Sequence, residues 1–90
     1  MTAFPLADSK KLDLNDLLIK HPSATFFLKA ASNALVKEGI RSGDILIVDR
    51  SLTPTPNSIV IAVVDGELVL GKVKAGSELW GVVTAVIHKL

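Results

Sequence analysis

Ninety residues suit one small domain, and a chain this short keeps a large share of its surface exposed, so self-association would help it. The composition is 49% hydrophobic with one Trp, three Phe and no Tyr, which calls for an aliphatic core of Val, Ile, Leu and Ala and favours strands over disorder. Ten Lys and Arg against nine Asp and Glu leave a net charge of +1, scattered from Lys10 to Lys89; that shows no nucleic-acid footprint, the absence of Cys excludes disulfides and thiolate sites, and His21 and His88 alone do not make a metal cage.

The opening Met1-Thr2-Ala3-Phe4-Pro5 lacks the positive segment and the roughly 7–15-residue apolar run of a secretory signal, and no stretch approaches the ~18 apolar residues of a membrane span. A cytoplasmic protein without membrane attachment or cofactor is expected. Residues 1–11 contain Pro5, Asp8, Ser9, Lys10 and Lys11 without a clear period and read as a flexible arm. Residues 12–90 read as the folded domain.

Asp13 can cap a short helix running to Lys20, because its carboxylate accepts from first-turn amides, and Asp16 suits the positive end of the helix dipole. Leu14, Leu17 and Leu18 form its apolar stripe, and Pro22 stops it before the next element. Residues 25–30, with Thr-Phe-Phe-Leu, read as a strand, and residues 31–37 as one or two helical turns. Gly39 and Ser42-Gly43-Asp44 mark turns ahead of the next apolar run.

Residues 45–48 and 59–64 are continuous β-branched apolar runs too short for ordinary helices, the pattern of strands covered on both faces. Pro54 and Pro56 stiffen the loop between them, and Asp65-Gly66 is a type I′ hairpin signal. Beyond it the alternation predicts Glu67, Val69, Gly71 and Val73 on one face and Leu68, Leu70, Lys72 and Lys74 on the other. A last strand is expected over residues 79–87.

Leu12-Asp13-Leu14-Asn15, His21-Pro22-Ser23-Ala24-Thr25, Gly43-Asp44-Ile45-Leu46-Ile47-Val48-Asp49 and Val64-Asp65-Gly66-Glu67 together resemble the UmuD family. The pattern runs without a gap from Leu12 to Val73 and resumes at Gly81-Val82-Val83. The resemblance implies a mainly β domain like the C-terminal half of LexA, with a short N-terminal helix. It implies a homodimer, and a self-processing peptidase in which a lysine activates a serine. A serine hydroxyl is a poor nucleophile until a base removes its proton, and a lysine serves only when it is held neutral.

In the family the serine sits in Gly-Asp-Ser-Met, after a Lys-Ala. Here Lys29-Ala30-Ala31 is followed by Ser32-Asn33-Ala34-Leu35, so Ala34 falls at the nucleophile position. The lysine lies in the strand after the Asp-Gly-Glu hairpin, where this chain has Gly71. The family's scissile pair precedes a Phe-Pro; Met1-Thr2-Ala3 stands directly before Phe4-Pro5, as expected of a form resembling the processed UmuD′. Only residues 72–79 separate Gly71 from Trp80, roughly a hairpin shorter than the family's stretch, which makes the C-terminal closure of the fold differ.

Ser32 and Lys72 as a displaced dyad would need a slip of the serine and a change of strand face, and catalytic geometry tolerates neither. Gly71 is either a bulge or a place where another backbone approaches. Apolar surface around Ile61, Leu68 and Leu70 is either core or dimer face. The candidate dimer-interface residues are Asn15, Leu18, Ile61 and Leu68.

The expectation is a non-catalytic, UmuD′-like homodimer that joins a UmuC-like translesion polymerase and the RecA filament in the SOS response. One alternative is a regulator that heterodimerises with an active UmuD- or LexA-like protein; another is a residual peptidase. Direct sequence-specific DNA binding is not expected, since no helix-turn-helix precedes the β domain and the charge is nearly neutral.

Overall fold

Asp13 opens the described part of the chain, which in this computed structural model comprises residues 13–90; the predicted arm lies outside it. The Asp13 side chain accepts the Asn15 amide at 2.9 Å and starts helix α1, Leu14–Leu18, two residues shorter than the sequence predicts. No residue of α1 is buried, and with no packed face its last turn has nothing to hold it. A 3-10 turn at Pro22–Ala24 then turns the chain into strand β1, Thr25–Lys29. In place of a regular helix after β1, the chain makes a loop with one 3-10 turn at Val36–Glu38, ended by Gly39 at φ 87°.

The remaining strands are β2 (Ile45–Asp49), β3 (Ile59–Val64), β4 (Glu67–Lys72) and β5 (Glu78–Ile87). All pairings are antiparallel in one sheet of order β1-β2-β5-β3-β4. Asp65 and Gly66 both hold positive φ, 51° and 79°, which is the type I′ turn expected between β3 and β4. β5 pairs with both β2 and β3, with one bulge on each side.

β2 is buried along nearly its whole length, whereas β3 is exposed at its hairpin end, so coverage of both faces holds for the first run and fades along the second. Ala30, Ile40, Leu46, Val48 and Ile61 form the core, with Leu28, Leu35, Ile59, Leu70, Trp80, Val83 and Val86 packed around them. Ile40, 1% exposed, is the plug that fastens the 30–44 loop over this face of the sheet.

Candidate functional site

Between that loop and β4 lies a cleft of about 410 Å³. Leu28 to Ser32 and Ala34 line one side and Leu68 to Leu70 the other, with Leu46 and Ile61 at the base. Three hydrogen bonds shape the loop. The Asn33 side-chain carbonyl accepts the Ser42 amide at 2.9 Å, and the Ala30 and Gly43 amides exchange bonds with the Asp44 and Ala30 carbonyls. The walls are mostly aliphatic, so the cleft can take an extended apolar segment.

Ala34 stands in the wall of this cleft. Gly71 follows the cleft residue Leu70 and pairs with Val60 on β3; a Cβ added to it would meet nothing within 4 Å. Ser32 also lines the cleft, its hydroxyl accepting the Ala34 amide at 3.4 Å. Lys72 instead reaches Glu38 at 3.3 Å in an exposed ion pair. No hydrogen bond joins Ser32 to Lys72, and each has a different partner.

The interface candidates separate in space. Asn15 borders a second hollow, with Asp16, Ile19, Pro22, Thr25 and Phe27, and Leu18 is half-buried on the same helix. Ile61 is 3% exposed and belongs to the core, while Leu68 on β4 is 48% exposed.

Two buried carboxylates were not singled out from the sequence. Asp44, just before the apolar strand β2, and Asp49, its last residue, are 3% and 4% exposed, and each grips a histidine. His88 Nδ1 lies 2.6 Å from Asp44 Oδ1, and His21 Nδ1 lies 2.6 Å from Asp49 Oδ2. The Arg41 amide, with His88 second, holds the Asp44 carboxyl below the usual carboxylate range. The Ser51 hydroxyl does the same for Asp49, joined by His21 and against the opposing effect of burial. No buried side-chain polar atom among the described residues is left without a partner. The signal was available in principle: acids beside a buried strand require hydrogen-bond donors, and the chain holds only two histidines. Among the described residues no three His, Cys, Asp or Glu converge, and no helix is long and apolar enough to cross a membrane.

Residues 2–80 match the Peptidase S24-like family. SamA of Salmonella typhimurium is 34% identical over 106 positions, covering 94% of this chain and 76% of SamA. ImpA of Escherichia coli is 47% identical over 58 residues, covering 64% of this chain and 40% of ImpA. MucA of Escherichia coli is 40% identical over 60 residues, covering 67% of this chain and 41% of MucA. The chain thus spans about two fifths of the length of ImpA and of MucA. Since 94% of 90 residues is about 85, the 106-position alignment leaves about 21 positions of SamA without a counterpart here.

Proposed function

This chain belongs to the Peptidase S24-like family, in its LexA/UmuD branch, and on that premise we propose that it is a non-catalytic dimeric accessory protein of SOS mutagenesis. It resembles processed UmuD, acts in the cytoplasm, and joins a UmuC-like translesion polymerase, the RecA filament, or both.

The observation that carries this reading is the composition of the cleft. The family's chemistry needs an oxygen nucleophile and a neutral amine within hydrogen-bond reach of each other. Ala34 contributes a methyl group to the wall, Gly71 contributes no side chain, and the adjacent Lys72 amine is engaged by Glu38. A cleft that keeps its apolar walls without those two groups supports retention of an extended segment over its cleavage. Partner binding by the same fold then remains as the function.

The alternative, a regulator that heterodimerises with an active UmuD-like relative, is favoured by the same cleft if the segment retained is a relative's arm. Affinity capture of the tagged chain from DNA-damaged cells separates the two. A UmuC-like polymerase or RecA among the bound proteins is the expected result. Capture of an active UmuD-like relative without either supports the regulator, and capture of none of the three overturns both readings.

A further inference from the structure

Leu68, Leu70 and Lys72 alternate onto one face of β4, the face on which Leu70 packs against the core. Lys72 therefore continues the row of the cleft residues Leu68 and Leu70 by one step. Its amine lies 3.3 Å from a Glu38 carboxylate oxygen, and Glu38 ends the 3-10 turn of the loop that carries the other wall. Among the described residues this is the one ion pair between that loop and β4. It joins the two elements that form the cleft without itself lining it.

The stem of the loop is fixed by the backbone bonds between Ala30, Gly43 and Asp44, by the Arg41 amide on the Asp44 carboxylate, and by buried Ile40. The turn itself is held less firmly: it has no side-chain cap, and its Val36 is 44% exposed. A turn with few buried contacts can shift while its stem stays in place. The ion pair that ties it to β4 is solvated, with side chains 44% and 41% exposed. Such a pair biases an equilibrium by about 1.5- to 5-fold and no more, and salt screens it. That is enough to favour one arrangement and too little to lock it.

The charges around the cleft are unbalanced. From Lys29 to Gly43 the chain holds the cations Lys29, Lys37 and Arg41 and the single acid Glu38; Lys29 lines the cleft, and Lys72 adds a further cation from β4. Glu67, at the start of β4, alternates to the opposite face. When the cleft is empty, Glu38 is therefore the acid that Lys72 has within reach.

We propose that Glu38 is a built-in competitor for Lys72, and that the cleft takes an extended apolar segment bearing an acidic residue, whose carboxylate displaces Glu38 from the lysine. The aliphatic walls hold the apolar part of the segment, and Lys72 and Lys29 select its acid. A basic segment gains nothing from this exchange, since it meets the same cations with a like charge. Glu38 thus raises the threshold for occupancy without touching the apolar wall, and higher ionic strength weakens both the competitor and the selected carboxylate.

The inference rests on the reading of the cleft as one that retains an extended segment. Its test is fluorescence anisotropy with two dye-labelled, end-blocked aliphatic peptides that differ only in closing on aspartate or on lysine. The parent is expected to bind the acidic peptide more tightly than the basic one. Glu38→Gln is expected to tighten the acidic peptide by about 2- to 5-fold at low salt, and to lose that gain at about 1 M salt, where the Debye length is about 3 Å. Lys72→Gln is expected to weaken the acidic peptide, with the circular dichroism of both variants that of the parent. The opposite signs matter, because a pair that only braced the loop would shift binding in the same direction whichever partner was removed. Ala34→Trp, which fills the wall from an exposed position, is expected to abolish binding of both peptides. Equal affinity for the two peptides, the same direction of change in Glu38→Gln and Lys72→Gln, or binding that survives Ala34→Trp overturns the competition by Glu38. Binding of neither peptide, by the parent or by Glu38→Gln, overturns the retention reading of the cleft as well.

Discussion

His21 Nδ1 and Asp49 Oδ2 lie 2.6 Å apart, which ties the segment between α1 and β1 to the far end of β2. Asp49 Oδ1 accepts the Ser51 amide at 2.8 Å and the Ser51 hydroxyl at 2.6 Å, so both carboxylate oxygens are occupied inside the fold. His88 and Asp44 make the equivalent link after β5. The buried strand thus carries at each end a carboxylate that fastens one of the two flanking segments.

Both carboxyls are held below their ordinary value of about 3.9, by the Arg41 amide at Asp44 and the Ser51 hydroxyl at Asp49. A depressed folded-state value contributes stability that is present above the unfolded value and is lost as pH falls through the folded one. Urea midpoints measured from pH 7 down to pH 2 are expected to fall on the acid side of about pH 4, less steeply in Asp49→Asn than in the parent. An identical acid slope in Asp49→Asn would remove Asp49 from the explanation.

Gly81 is required by packing. A Cβ there would lie 2.6 Å from Val48 Cγ1 and 3.3 Å from Arg50 Cγ, and Val48 is fully buried, so it cannot give way. Gly81→Ala is expected to cost about 1–3 kcal/mol by overpacking, read as a lower urea midpoint. A parental midpoint would show that β5 can shift away from β2.

Arg50 lies over the Trp80 ring at 4.4 Å from its centroid and donates from Nε to the Trp80 carbonyl at 2.8 Å, while Phe26 meets the same ring at 5.3 Å. Trp80 is the one tryptophan, so its fluorescence reports this stack alone. Arg50→Ala is expected to shift the emission and to lower stability by about 0.5–1 kcal/mol. Unchanged emission would mean that the guanidinium does not cover the ring in solution.

The strands were legible because their signals are local: β-branched runs at Ile45 and Ile59, and Asp65-Gly66 between alternating segments. The end of α1 was not, since Ile19 and Lys20 continue a plausible helical period while the absence of a buried face decides where the helix stops. Ala34 in the same cleft as Leu68 to Leu70 was legible only through the family pattern, because two segments so far apart in sequence share no local signal. The links from His21 to Asp49 and from His88 to Asp44 depend on strand order, which no periodicity reveals.

The proposed function depends above all on the missing chemistry. Mass spectrometry of the purified chain, incubated alone and with a cleavable UmuD-type arm peptide from neutral to alkaline pH, is expected to show both intact. Raising the pH has nothing to activate where Ala34 carries no oxygen and Gly71 no amine. Ala34→Ser or Gly71→Lys alone is expected to stay inactive, since each restores one half of an interdependent pair, whereas the double variant is the one placed to regain weak cleavage. A product that grows in proportion to the unmodified protein, and vanishes on Ser32→Ala or Lys72→Ala, would contradict the non-catalytic reading by showing that a displaced dyad works in this cleft.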